Sequence, residues 1–146
     1  MISLNLFYEK YPSTIRVHEK WIPIITDFRE YIRLFDMLRC DELKSREKVF
    51  IIQEYFLDDI TIDADAIMAL SDFILMLDPT GELYSGETET PRKKNLFSYS
   101  IDYPYILSGF LRDYGIDLET IDYLHWWKFR ALFDGLSDDT EIKQRI

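Results

Sequence analysis

DYLHWWKFRALFDGL, residues 122–136, gathers two tryptophans, two phenylalanines, a histidine and two basic side chains into what reads as one short helix. With Tyr123 at zero on a wheel advancing about 100° per residue, Phe129, Phe133 and Trp126 fall together at roughly 240–300°. Trp127, Ala131 and Leu124 fall at roughly 40–100° on the same wheel. Arg130 and Asp134 separate the two apolar sectors on one side; Lys128 and His125, flanking Leu132, separate them on the other. A helix that is apolar on two sides is buried on two sides. Two uses fit: a central helix covered by its own chain on both faces, or one sector in the core and the other on a partner. Tryptophan and arginine dominate interface hot spots. Phe129 and Phe133 make the Trp126 sector the larger, which assigns it to the core. Trp127, Leu124, Ala131, Lys128 and Arg130 are then the candidate partner-binding residues, with Trp127 expected to be the more exposed of the two tryptophans.

Working outward, the periodicity stays helical. In TDFREYIRLFDMLRC (26–40), Phe28, Tyr31, Ile32, Phe35 and Leu38 follow the i, i+3, i+4, i+7 rule, with Thr26 or Asp27 as cap. A second helix is expected from about Ser45 to Phe56, with Val49, Ile52, Tyr55 and Phe56 inward. A third is expected from about Asp63 to Leu77, with Ile67, Leu70, Ile74 and Leu77 inward, stopped by Asp78-Pro79-Thr80-Gly81. A fourth should run from about Asp102 to Tyr114, carrying Tyr103, Ile106, Leu107, Phe110 and Leu111 inward, with Gly115 as its left-handed stop. Gly135 ends the fifth. SDDTEIKQRI (137–146) starts a sixth, capped by Ser137 or Thr140, and the sequence ends while the helical pattern still runs, as a truncated last helix would.

Two segments break the pattern. STIRVHEKWIPIIT (13–26) alternates and is rich in isoleucine and valine, predicting a hairpin with strands near 14–18 and 21–25 around Glu19-Lys20. PTGELYSGETETPRKKN (79–95) has neither period and reads as a flexible loop with one basic cluster, Arg92-Lys93-Lys94. The expected fold is therefore all-α: a single domain over 1–146, a bundle of five or six helices with residues 1–25 forming an arm and a small hairpin.

The formal charge of -10 repels phosphate backbones and anionic membranes, which argues against both as partners. The single cysteine, Cys40, forbids an intramolecular disulfide and fits a reducing cytoplasm. MISLNLFYEKYP lacks the basic and apolar regions of a signal peptide, and no apolar run approaches a membrane span. Catalysis is not legible. His18 and His125 lie in no metal-binding motif and read as surface or packing residues, and Cys40 reads as a packing residue. Asp58, Asp59, Asp63, Asp65, Asp138 and Asp139 lack the calcium-loop pattern and sit where helix caps and dipoles want acids. No catalytic residue, cofactor or metal is expected.

YPYILSGFLRDYGIDLETIDYLHWWKFRALFDGL (103–136) resembles the signature of the bacteriophage "gene product fifteen" family, found in long-tailed phages and prophages of Gram-positive bacteria. TDFREYIRLFDMLRC and the preceding Pro12-Ser13-Thr14-Ile15 are similar to that family's N-terminal half. The resemblance covers most of the chain and implies a tail-morphogenesis protein without catalytic residues, encoded near the tape-measure gene. Its implied function is a chaperone of the tape-measure protein in the host cytoplasm, or alternatively a structural component kept at a tail terminus. The implied partners are the tape measure or another tail protein, with a homo-oligomer also open. Members usually continue into a basic helical tail beyond the point where this sequence stops.

Overall fold

The computed structural model describes residues 10–77, 99–137, 140 and 142–143. Among them, two strands, β1 (Thr14–Val17) and β2 (Lys20–Pro23), precede five helices: α1 (Phe28–Leu38), α2 (Ser45–Gln53), α3 (Ala64–Ile74), α4 (Tyr103–Tyr114) and α5 (Trp126–Asp134). The protein is mostly α with a small antiparallel N-terminal sheet, as the periodicity predicts. The expected loop at 79–95 lies outside the described residues. Of the expected sixth helix, Ile142 and Lys143 are helical, and Ile142 is buried.

The hairpin turns one residue earlier than expected. Its two-residue loop is His18-Glu19, both with positive φ (52° and 66°), which matches the right-handed twist of the strands. The resulting register pairs Ile15 with Ile22 and Arg16 with Trp21, so Ile15, Val17, Ile22 and Ile24 face inward while Trp21 stands outside. Pro23 has no N–H to give, but its carbonyl accepts the Leu57 N–H at 2.8 Å, and the Ile25 N–H donates to the Tyr55 carbonyl at 3.0 Å. Residues 55–57 therefore flank the hairpin at the end of the turn after α2, through an isolated bridge of Phe56 to Ile24.

Asp27 caps α1, accepting the Arg29 N–H at 3.1 Å, and Phe28, Tyr31 and Leu34 form its buried stripe. Ile32, Phe35 and Leu38 are half-buried beside it. α2 departs from expectation: it ends at Gln53, Val49 is exposed, and none of its residues is buried. Tyr55 and Phe56 are buried, but from the turn that follows α2 rather than from a helix face.

In α3 the buried stripe is Ala66, Leu70 and Phe73, rotated from the expected Ile67, Leu70, Ile74 and Leu77; Ile67 is exposed. The helix packs against β1, and contact with the hairpin selects the face centred on the small Ala66. It also stops before the Asp-Pro-Thr-Gly stretch. Met76 takes a left-handed φ of 60°, its N–H donates to the Phe73 carbonyl, and the Leu77 N–H reaches the Asp72 carbonyl at 2.9 Å. These two bonds are the Schellman closure of a helix.

α4 ends at Gly115 (φ 68°) as expected. Tyr103 and Leu111, expected inward, are exposed, and the buried positions are Ile106, Gly109 and Phe110. Gly109 lies against Leu136 and Ile142: an added Cβ would stand 3.4 Å from Leu136. α1 and α4 both contact α5, which is the most buried element.

Candidate functional site

The N-terminus of α5 is stitched to that of α1. The Phe28 N–H donates to the Leu124 carbonyl at 2.9 Å and the Trp126 N–H to the Thr26 carbonyl at 2.7 Å. Asp27 accepts the Leu124 N–H at 3.2 Å, and Arg29 is held between the Asp27 carboxylate and the carbonyls of Ile121 and Asp122. His125 caps α5: its Nδ1 accepts the Trp127 N–H at 2.9 Å, so Nε2 carries the proton and donates to the Pro12 carbonyl at 2.8 Å. The ring stacks on Tyr11 at 4.9 Å. Burial pushes the His125 pKa down, against the smaller opposing effect of the Pro12 carbonyl.

Both tryptophans are buried, Trp126 at 0% and Trp127 at 2% exposure. Trp127 is not the surface residue that the wheel suggests. Their indole N–H groups converge on the end of α3: Trp126 Nε1 donates to the Ile74 carbonyl at 3.0 Å and Trp127 Nε1 to the Phe73 carbonyl at 2.8 Å. Arg130 Nη1 reaches the Ile74 carbonyl at 3.4 Å, with its guanidinium 5.7 Å from the Trp126 ring. The last carbonyls of a helix lack intrahelical partners and carry negative partial charge. α3 has no basic residue in its own last turn. α5 supplies the donors and the cation instead.

Of the five candidate partner-binding residues, Trp127, Leu124 and Arg130 are therefore buried within the fold. Lys128 and Ala131 are exposed. Of the second sector only Trp127 is covered by α3, through Phe73, whose ring lies 5.7 Å from its own; Leu124 precedes the helix, which starts at Trp126 rather than at Tyr123. Around the other sector an aromatic cluster closes the core: Phe129 stacks on Phe28 at 4.8 Å and on Phe110 at 5.3 Å. Tyr31, fully buried there, donates to the Ile25 carbonyl at 2.6 Å, and burial drives its pKa upward. Tyr55 donates to the Glu30 carbonyl, and its pKa is pushed up to about 12, chiefly by burial.

The exposed apolar surface lies elsewhere. Trp21, Phe50, Leu57 and Met68 are each more than 60% exposed. The signal for Phe50 was present in VFII (49–52): four successive apolar residues exceed what a single helical stripe can bury.

One cluster has metal-ligand chemistry. His18, Asp63 and Asp65 place ligand atoms within 4.8 Å of one another. His18 Nε2 meets Asp63 at 2.6 Å while Nδ1 faces Asp65 at 3.7 Å. The carboxylates thus occupy opposite nitrogens of one ring, and a single ion can take only one of these. Asp63 also caps α3 through the Ala66 N–H at 3.0 Å, the main cause of its lowered pKa. The arrangement ties the hairpin turn to α3 as a hydrogen-bonded clasp. Among the described residues no helix is long and apolar enough to cross a membrane.

A family model described as Bacteriophage Gp15 protein matches residues 7–146. The chain belongs to the Bacteriophage Gp15 protein family. No curated protein and no solved structure matches it. Within the Gp15 match fall the hairpin, the five helices and the indole clamp on α3.

Proposed function

We propose that this Gp15-family chain is a non-enzymatic tail-assembly protein that binds the tape-measure protein of its phage in the host cytoplasm while the tail is built. The observation that carries the reading is family membership over residues 7–146. Two physical features support it. A tape measure is long and largely helical, with apolar stripes that need cover until tail subunits enclose it. A chain with net charge -10 that exposes Trp21, Phe50, Leu57 and Met68 offers apolar contact together with a charge that keeps a complex soluble.

Co-expression of the full-length protein with the tape-measure product of the same phage, followed by affinity capture, tests the binding. Stoichiometric co-purification is expected; a tape measure that is not captured and is as soluble alone as with this protein overturns the reading. Mass spectrometry of purified virions separates it from the structural alternative, since a chaperone is absent from the finished tail and a terminus protein remains there.

A further inference from the structure

An open cleft of about 320 Å3 lies between the start of α1, residues 99–100 and α4, floored by Phe28, Ile106, Leu118 and Phe129 and walled by Ile32. Its volume is at the low end of the ~300–1,000 Å3 of ligand pockets, enough for one or two side chains. Single exposed apolar residues are ordinary on protein surfaces, whereas a concavity can desolvate an inserted side chain.

The mouth of this cleft is acidic. Three of its lining side chains are tied to carboxylates: Arg29 to Asp27 at 2.9 Å, Ser100 to Asp36 at 2.5 Å, and Tyr103 to Glu119. Asp117 accepts the Glu119 N–H at 3.0 Å, and the Asp122 carbonyl holds the Arg29 guanidinium at 2.8 Å. The carboxylates of Asp27, Asp36 and Glu119 thus bond side chains that line the cleft, and among the described residues its one lining cation, Arg29, is paired with Asp27.

We propose that this cleft receives the apolar anchor of an amphipathic helix from a partner protein, with lysine or arginine flanking the anchor. Helix-in-groove recognition inserts side chains at i, i+3, i+4 and i+7, and opposite charge around them speeds encounter and rejects acidic competitors. The proposal rests on the tail-assembly reading for its biological partner and supplies that reading with a docking surface in place of α5.

The test is an amide-shift titration of the full-length protein with a synthetic amphipathic helical peptide bearing leucine and phenylalanine anchors, in lysine-flanked and glutamate-flanked forms. The lysine-flanked form should give saturable shifts at residues 28–32, 99–106 and 118, and bind roughly tenfold or more tightly than the other. Ile32→Glu should abolish those shifts. Glu119→Lys, on the exposed rim, should weaken the lysine form and strengthen the glutamate form, while Thr61→Ala, at an exposed position outside the cleft lining, leaves both unchanged. Equal affinity for the two peptides, no saturable shift at the cleft, or shifts confined to residues outside its lining would each overturn the proposal. Peptide binding at the cleft without capture of the tape measure removes that partner and leaves the cleft standing.

Discussion

Replacing Trp127 is the sharpest test of the interior described for α5. The side chain is 2% exposed, packs on Phe73 and His125, and donates to the Phe73 carbonyl at 2.8 Å. Trp127→Ala removes the whole indole from a close-packed site and should cost about 3–5 kcal/mol, the same range as Trp126→Ala. For a chain of this size that is a fall in Tm of about 10–15 °C. It is also a large share of the ~5–15 kcal/mol total stability of a typical domain, so Trp127→Phe is the more informative companion. The phenyl ring keeps most of the apolar contact and loses the donor. The Phe73 carbonyl still accepts the Met76 N–H at 3.0 Å and is not orphaned, so the loss should be about 1–3 kcal/mol from one hydrogen bond and a smaller ring. Urea titrations followed by circular dichroism give both values, with an unchanged m-value confirming that only stability moved. If Trp127→Ala stays within about 0.5 kcal/mol of the parent while Trp126→Ala carries the full penalty, the indole clamp is wrong and Trp127 is a surface residue after all.

Below about pH 6.5, the ordinary value for histidine, the unfolded chain takes up a proton that folded His125 refuses, so stability should fall as pH drops from there until the depressed folded pKa is reached. His125→Asn keeps a capping acceptor and removes the titration, and a flatter stability curve from pH 7 down to about 5 than the parent's is the expected result. Gly115→Ala meets no atom within 4 Å, so its cost should be the left-handed backbone alone, about 1–2 kcal/mol by thermal melt. Phe50→Ser, at a side chain 67% exposed, should leave stability within about 0.5 kcal/mol and lower binding of a hydrophobic dye if α2 contributes apolar surface.

Elements were legible because periodicity and punctuation are local. Asp27 and Asp63 as caps, Gly115 as a left-handed stop and the alternation of Ile15 and Val17 all depend on a few neighbouring residues, and each stands where the sequence places it. The phase of each stripe is not local. Whether α3 turns Ala66 or Ile67 inward is decided by the hairpin against it, and nothing in ADAIMALSDFI announces that contact. The same holds for Met76, whose left-handed turn uses a residue that sequence rules do not flag; its burial at 3% exposure compensates for the strained backbone.

The tryptophan pair shows what residue type alone cannot decide. An indole combines a large apolar ring with one N–H donor, which suits it equally to an interface and to a buried helix end with open carbonyls. The wheel rightly sets Trp126 and Trp127 on different faces, but it starts the helix too early, so Leu124 lies outside α5, and it counts Ala131, which is exposed, in an apolar sector. It has no means of saying what covers either indole. The covering group is the end of α3, some 50 residues earlier, where the Phe73 and Ile74 carbonyls are met by the two indoles and Arg130. With that surface used internally, recognition has to be sought where apolar atoms meet solvent in a concave setting. The cleft beside α4 could not be read from the sequence, because Phe28, Leu118 and Phe129 come from three separate stretches, and only the fold joins them.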